Sequence, residues 1–138
     1  MQKKIIVHSI IMDDGKMLIL QRARANEVLP GWWDTPGGTL EDGEDPIEGA
    51  KREAREEAGL SIHRLSLFFY DSRVDRGNQF ITLVFLAEPA SDPDGVKTNP
   101  EEHDAFRWCS LDELGGYELV PWLEECLVLK KDLLASQG

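Results

Sequence analysis

Three closely spaced glutamates, Glu53, Glu56 and Glu57, are the residues of this sequence best suited to chemistry. They lie in residues 37–60, a stretch that holds eight carboxylates and is predicted to be partly helical. Clustered carboxylate oxygens are the ligands that Mg²⁺ and Mn²⁺ prefer in proteins. A run of charge on a helix is more often a solvent-exposed face with salt bridges. The cluster therefore has two interpretations, a cation site and a solvated face.

The spacing of these glutamates is unfavourable for a helix that lacks a further positive charge. The three carboxylates share one stripe, and Glu53 and Glu57 form a like-charged i, i+4 pair. Glu56 and Glu57 also lie near the C-terminal end, where the helix macrodipole disfavours negative charge. Arg52 alone is not expected to neutralise three acids. These conflicts with local rules place a divalent cation on an equal footing with the solvated face, and both interpretations stay open at this point.

An apolar stripe of small residues runs beside the carboxylates on the same predicted helix. Ile47, Ala50, Ala54 and Ala58 fall together at about 100° per residue. Because alanines allow close packing, this stripe can lie directly on a sheet. The sequence therefore predicts that the neighbouring carboxylates lie near the interior of the domain.

The elements around this helix follow from apolar periodicity and turn residues. Asp45 is the expected N-cap, Pro46 suits the first turn, and Gly59 is expected to end the helix after Ala58. The remaining predictions are a hairpin at 4–12 and 16–22, strands at 61–70, 79–88 and 106–110, loops at 37–44, 71–78 and 89–104, and an amphipathic helix at 120–135 whose apolar face includes Leu129 and Leu133. This order predicts one α/β domain over residues 1–138, with a mixed sheet sandwiched between helices.

Composition narrows the class of partner and the compartment. The net charge of −11 and the pI near 4.6 argue against nucleic-acid binding, which depends on Lys and Arg. No apolar run approaches the roughly 20 residues that span a membrane. Cys109 and Cys126 lie far apart among apolar neighbours, as buried thiols do in a reducing cytoplasm. We expect a cytoplasmic protein that binds neither nucleic acid nor a membrane, and its composition is compatible with a small phosphorylated ligand held through a metal.

Residues 38–60 resemble the Nudix box, G-x5-E-x7-R-E-U-x-E-E-x-G-U, in which U is an apolar residue. The fixed positions are filled by Gly38, Glu44, Arg52, Glu53, Glu56, Glu57 and Gly59, with Ala54 and Leu60 at the apolar positions. The segment GWWDTPGG before the box and the segment EEHDAFRWCSLDEL after it also resemble this family. The sequence is therefore identified as a member of the Nudix hydrolase family.

The resemblance implies an α/β/α sandwich around a mixed sheet and a hydrolase that uses Mg²⁺ or Mn²⁺. Members typically cleave the pyrophosphate bond of a nucleoside diphosphate linked to another group, such as a nucleoside triphosphate or a nucleotide sugar. Glu53, Glu56 and Glu57 would be metal ligands, together with the backbone at Gly38. Arg52 would orient a glutamate of the box. A nucleotide-binding sensor that keeps the fold is the alternative function.

Family members differ in which carboxylate accepts a proton from the attacking water. Within the box the candidates are Glu57 and Glu56. In the loop before Trp108 they are Glu102, which is preferred, and Glu101. The alternative for Glu102 is an exposed loop acid without a role. His103, beside Glu102, is a weaker candidate for assisting in the site.

Residues for substrate recognition are expected on either side of the box. Arg22 and Arg24 follow the second strand and could contact phosphates, or could be ordinary surface arginines. Trp32 could stack on a base, or could be a surface residue beside a buried Trp33. The signatures of several subfamilies are absent, so the identity of the nucleotide substrate stays open. The resemblance also allows a homodimer, because many relatives dimerise.

Overall fold

A computed structural model describes residues 1–136 of the chain. These residues form seven strands and two α-helices. In chain order they are β1 (Gln2–Asp13), β2 (Lys16–Arg22), β3 (Trp33–Asp34), β4 (Gly37–Thr39), α1 (Pro46–Ala58), β5 (Ile62–Asp75), β6 (Asn78–Pro89), β7 (His103–Ser110) and α2 (Pro121–Ala135). Neither helix of the described chain combines the length and the apolar content that a membrane crossing requires.

Strand β1 is the centre of a mixed sheet in which the main path runs β3-β2-β1-β6-β5. It pairs in parallel with β6, from Gln2 opposite Asn78 to Ile11 opposite Ala87. Its pairings with β2 and β4 are antiparallel, and β7 also pairs with β2 in the antiparallel direction. The predicted mixed sheet is therefore confirmed.

The two helices cover opposite faces of this sheet because side chains alternate along each strand. Ile10 of β1 and Ile19 of β2 lie in one buried cluster with Trp122 and Leu123 of α2. The neighbouring residues Ile11, Leu18 and Leu20 lie in another cluster with Ala54 and Ala58 of α1. The α/β/α arrangement predicted from the sequence is thereby confirmed.

Helix α1 has the predicted bounds and the predicted caps. The Asp45 carboxylate accepts hydrogen bonds from the backbone N–H groups of Ile47 and Glu48, and Gly59 ends the helix with a φ of 67°. The three alanines of the expected apolar stripe are buried. Ile47 is 38% exposed, so its assignment to that stripe was wrong. The carboxylate of Glu53 takes its place in the interior, at 7% exposure.

Several predicted boundaries differ from the structure. Residues 71–75, all polar except Val74, continue strand β5, and the turn is the dipeptide Arg76-Gly77. Both residues have positive φ values, 51° and 77°, as a two-residue hairpin turn requires. The polarity of this segment reflects the exposure of an edge strand, since most of its residues face solvent.

Three further predictions need correction. Residues 37–39, predicted as loop, form β4 because their backbone pairs with Ile6, Val7 and His8 of β1. The last strand begins at His103 rather than at 106, inside the loop predicted for 89–104. Leu129 and Leu133, predicted on the apolar face of α2, are 65% and 55% exposed because the buried positions of that helix are taken by Trp122, Leu123, Cys126 and Leu134.

Candidate active site

A cavity of about 680 Å³ opens where β4, α1 and the segment before β7 meet. It gathers most of the site residues predicted from the sequence: Arg22, Gly38, Glu53, Glu56, Glu57 and Glu102. We call Glu53, Glu56 and Glu57 the carboxylate cluster and the space before them the acidic cavity. The cluster is therefore not simply a solvated helix face, because Glu53 and Glu57 are largely buried and only the Glu56 side chain is exposed, at 55%.

Arg52 holds two members of the carboxylate cluster. Its Nη1 donates to Glu53 Oε1 at 2.9 Å and to Glu56 Oε2 at 3.0 Å. Its Nε and Nη2 donate to the two oxygens of Glu44 at 2.8 and 2.9 Å. These hydrogen bonds lower the pKa of Glu44 to about 2 and raise the pKa of Arg52 above its usual range. The Arg52 guanidinium is thus hydrogen-bonded to Glu44 on one side and to Glu53 and Glu56 on the other.

Glu53 lies against the backbone of β4, where a side chain would not fit. A Cβ atom on Gly38 would lie 2.6 Å from Glu53 Oε1 and 2.8 Å from Oε2. Burial raises the pKa of the Glu53 carboxyl, against the hydrogen bond from Arg52 that lowers it. The glycine therefore permits the close approach of a buried carboxylate to the edge of the acidic cavity.

Glu57 is the member of the cluster that contacts the start of β7. Its Oε2 lies 3.0 Å from Nδ1 of His103, and both side chains are largely buried. The alignment of the two groups falls short of a hydrogen bond, and neither atom has a hydrogen-bond partner within residues 1–136. His103 was a weaker candidate from the sequence, because the histidines show no metal-ligand spacing and only its position beside Glu102 suggested a role.

The donor set suits a hard divalent cation, although no three acidic, His or Cys side chains among residues 1–136 already form a metal-binding group. Five carboxylates line the cavity, and three of them belong to helix α1: the five are those of Asp34, Glu53, Glu56, Glu57 and Glu102. One buried oxygen, Glu57 Oε2, lacks a hydrogen bond within the described chain. Glu53 and Glu56 are turned toward Arg52. Anionic oxygens of this kind are the usual ligands of Mg²⁺ and Mn²⁺. The residues present therefore fit a cation, with Glu53 and Glu56 shared between it and Arg52.

Glu102 reaches the acidic cavity from a loop whose backbone is anchored. The Glu102 carbonyl accepts hydrogen bonds from Ala23 N at 2.9 Å and from the Asn26 side chain at 3.1 Å. The carbonyl of Asn99 accepts from the N–H groups of Glu102 and His103. Glu101, the other loop candidate, is exposed and donates its N–H to the side chain of Asn99. Of the two loop acids, the structure places Glu102 in the cavity.

The wall of the acidic cavity also includes Asp34, a polar residue that was not predicted from the sequence. Asp34 is buried, and Arg22 Nη1 lies 3.4 Å from its Oδ2 while Arg22 Nε donates to the carbonyl of Val28. His8 lies beside Asp34, and its Nδ1 is 3.1 Å from the carbonyl of Thr35. The position of Asp34 just before the box was the available signal. Its effect is to hold a guanidinium at the edge of the acidic cavity.

A second cavity of about 360 Å³ adjoins the acidic cavity. The two share Ile6, His8, Arg22 and Asp34 as lining residues. The rest of its wall is more apolar than that of the acidic cavity and consists of Val28, Leu29, Phe80, Val120, Pro121 and Trp122 together with the polar residues Arg73, Asp75 and Thr82. Trp122 packs against His8 with ring centroids 4.9 Å apart. An acidic compartment and an apolar compartment thus lie side by side, with Arg22 between them.

Arg24 and Trp32 lie apart from the acidic cavity. Arg24 is exposed, and its backbone N–H donates to Asp104 Oδ2 at 3.1 Å. Trp32 is half-buried and lines a different cavity, of about 480 Å³, with Leu111 and Tyr117. The structure therefore does not bring these two predicted substrate-binding residues to the other site residues.

Comparisons with known proteins agree with this geometry. The family model described as the NUDIX domain matches residues 2–127. A MutT-like protein of Streptomyces ambofaciens is 32% identical over 105 residues, which are 76% of this chain and 62% of that protein. The chain thus spans less than two thirds of the length of this relative.

Other relatives match over nearly their whole length. The nucleoside triphosphatase NudI of Escherichia coli O139:H28 is 31% identical over 139 residues, covering 94% of this chain and 98% of that protein. The crystal structure of a MutT NUDIX hydrolase from Burkholderia pseudomallei superposes with a TM-score of 0.80 at 28% identity, covering 92% and 97% of the two chains. The family model, these relatives and the carboxylate cluster in its cavity together show that this chain belongs to the NUDIX family.

Proposed function

We propose that this protein hydrolyses the pyrophosphate linkage of a nucleoside triphosphate or a related nucleoside-diphosphate derivative, in a reaction that depends on Mg²⁺ or Mn²⁺. One observation carries the proposal: three carboxylates of one helix face Glu102 and Arg22 across a single cavity. An anionic phosphate chain would be repelled by these acids alone. Cleavage of a phosphoanhydride depends chiefly on positioning and charge neutralisation, which such a site supplies once a cation is bound.

Glu53, Glu56 and Glu57 would hold the cation, together with the backbone at Gly38. Bound there, a divalent ion supplies charge neutralisation for the phosphates and lowers the pKa of a bound water. Arg52 would keep Glu53 and Glu56 in place through its hydrogen bonds. Gly38 would contribute by its lack of a side chain, because any Cβ there would displace Glu53.

Glu57 and Glu102 are the groups that would accept a proton from the attacking water. Both line the acidic cavity, and Glu57 is largely buried whereas Glu102 is exposed on an anchored loop. Glu56 is hydrogen-bonded to Arg52, which makes it less available as a base. Removing a general base typically lowers turnover by about 10²- to 10⁴-fold. The two candidates are therefore separable by their Gln variants.

Arg22 would contact the phosphates and the adjoining apolar cavity would take the nucleoside. Asp34 and the Val28 carbonyl fix the Arg22 guanidinium between the two compartments. Phe80, which is half-buried in the wall of that cavity, offers aromatic surface to a flat base. The likeness to a nucleoside triphosphatase over 98% of the length of that protein favours a nucleoside triphosphate over a nucleotide sugar.

A substrate panel with product identification tests this proposal. The ribo- and deoxyribonucleoside triphosphates, a nucleotide sugar and a dinucleoside polyphosphate are incubated with Mg²⁺ or Mn²⁺, and products are separated by anion-exchange chromatography. We expect a nucleoside monophosphate and pyrophosphate from at least one triphosphate. Glu57→Gln should abolish most of this turnover, whereas Glu48→Gln, an exposed residue of the same helix, should not. Absence of turnover on every substrate, or equal turnover in wild type and Glu57→Gln, refutes the proposal.

A further inference from the structure

His103 is the first residue of β7, and its ring is directed toward helix α1. Strict alternation along β7 would place it on the same face as Cys109, which packs in the cluster beneath α2. The pairing of β7 with β2 shifts, however, so that Gln21 pairs with Ala105 but Arg22 pairs with His103. Irregularities of this kind redirect side chains, often beside active sites. Here the irregularity accompanies the placement of the imidazole against Glu57.

The contact between His103 and Glu57 brings together two buried polar atoms that have no hydrogen bond among residues 1–136. Nδ1 and Oε2 are 3.0 Å apart, and the side chains are 7% and 13% exposed. A buried carboxylate oxygen without a donor is costly, so a donor at this distance has a stabilising role. Because a carboxylate only accepts, the nitrogen that faces it must carry the proton. Catalytic hydrogen bonds are often poorly aligned before ligands bind and tighten afterwards.

The backbone that carries the His103 imidazole is held by several hydrogen bonds. The His103 N–H donates to the carbonyl of Asn99 at 2.9 Å, and the preceding carbonyl, of Glu102, accepts two hydrogen bonds from residues 23 and 26. Arg52 fixes Glu53 and Glu56, but the hydrogen bonds it makes do not extend to Glu57 within the described chain. His103 thus contacts Glu57, the third carboxylate of the cluster, as Arg52 contacts Glu53 and Glu56.

We propose that His103 is a positioning residue that holds Glu57 Oε2 and thereby leaves Oε1 to face a divalent cation. This inference rests on the proposed function, because it assigns a role in the same site. Partners that orient a metal-ligating side chain are typically worth about 10- to 100-fold in metal affinity. Loss of the Nδ1 donor should therefore weaken cation binding even when no nucleotide is present.

Mn²⁺ binding to the intact protein without nucleotide tests the inference, by electron paramagnetic resonance of the free ion. His103→Leu fills the space without a donor, and His103→Ala serves if the Leu variant does not fold. His103→Asn keeps an N–H donor on the γ carbon, near the position of Nδ1. His63→Leu, at an exposed position of β5, is the control. Circular dichroism and melting temperature establish that each variant is folded.

We expect His103→Leu to weaken Mn²⁺ binding by about 10-fold or more. His103→Asn should stay close to wild type, and His63→Leu should not change. Equal binding by wild type and a folded His103→Leu variant would overturn the inference while leaving the proposed function intact. Equal losses in the Leu and Asn variants would also overturn it, because the donor would then not be the cause. A wild-type protein that binds no Mn²⁺ would overturn both.

Discussion

Replacement of Gly38 by alanine should separate the chemistry of the site from the stability of the fold. Gly38 lies in β4 opposite Val7, and its new Cβ would lie 2.6 Å from Glu53 Oε1. Real carbon–oxygen contacts are longer than this, so the carboxylate must move by roughly half an ångström or more. The backbone of Gly38 does not have a positive φ, so alanine adds no backbone strain there.

We expect Gly38→Ala to have a smaller effect on the stability of the fold than on turnover. The displaced atoms are the end of the Glu53 side chain, which can rotate, so the free energy of unfolding should fall by less than about 1 kcal/mol. The same movement pulls Glu53 away from its 2.9 Å hydrogen bond with Arg52 and from the cation that it would hold. Misplacements near 1 Å can lower turnover about 10²-fold. We therefore expect kcat/KM to fall by roughly 10- to 100-fold.

The assay is nucleotide hydrolysis and urea unfolding of Gly38→Ala beside two comparison variants. In Gly37→Ala the Cβ would meet the ring of His8 and the carbonyl of Val7, a backbone atom that cannot rotate away, so stability should fall by about 1–3 kcal/mol. Gly115→Ala meets no described atom within 4 Å and should leave both properties unchanged. Unchanged activity of a folded Gly38→Ala protein would refute the reasoning about the close approach of Glu53.

Three further predictions concern the walls of the cavities, the ion pair between Glu44 and Arg52, and the buried core. Arg22→Ala should raise KM for the nucleotide whereas Trp32→Ala should not, as steady-state kinetics would show; the reverse result would contradict the placement of these residues. The pKa of Glu44 is lowered to about 2, so its contribution to stability is present above its ordinary pKa of 4.5 and is lost as pH falls through about 2. The stability gap between wild type and Glu44→Gln, measured by urea unfolding, should therefore shrink from neutral to acidic pH; a constant gap would argue against the ion pair. Burial raises the pKa of Cys126 to about 11, so Ellman's reagent should modify this thiol only on unfolding, and fast reaction in the native protein would contradict its burial.

Helix α1 was predictable because several local signals agree. Asp45, Pro46 and Gly59 mark its ends, and the alanines mark its buried stripe. The sorting of charge on its surface also predicted that Glu53, Glu56 and Glu57 would lie together, and they line one cavity. The possible homodimer, the cytoplasmic location and the roles of the site residues stay predictions.

Features that depend on pairing between distant segments were not predictable. Strand β4 consists of Gly37, Gly38 and Thr39, whose composition indicates a loop, and only pairing with β1 makes it a strand. The contact of His103 with Glu57 accompanies a register shift that has no local signature. Local composition does not show which segments lie opposite one another.

The dependence of nucleotide turnover on free Mg²⁺ or Mn²⁺ tests the central claim most directly. Wild type, Glu53→Gln, Glu56→Gln, Glu57→Gln and the control Glu48→Gln are titrated with the cation after treatment with EDTA. We predict no turnover in EDTA and full recovery with added cation in wild type and the control. In the carboxylate-cluster variants, the half-saturating cation concentration should rise by about 10-fold or more, or the maximal rate, where it is measurable, should fall by about 10-fold or more. Turnover that persists in EDTA, or identical titrations in all five proteins, would contradict the account.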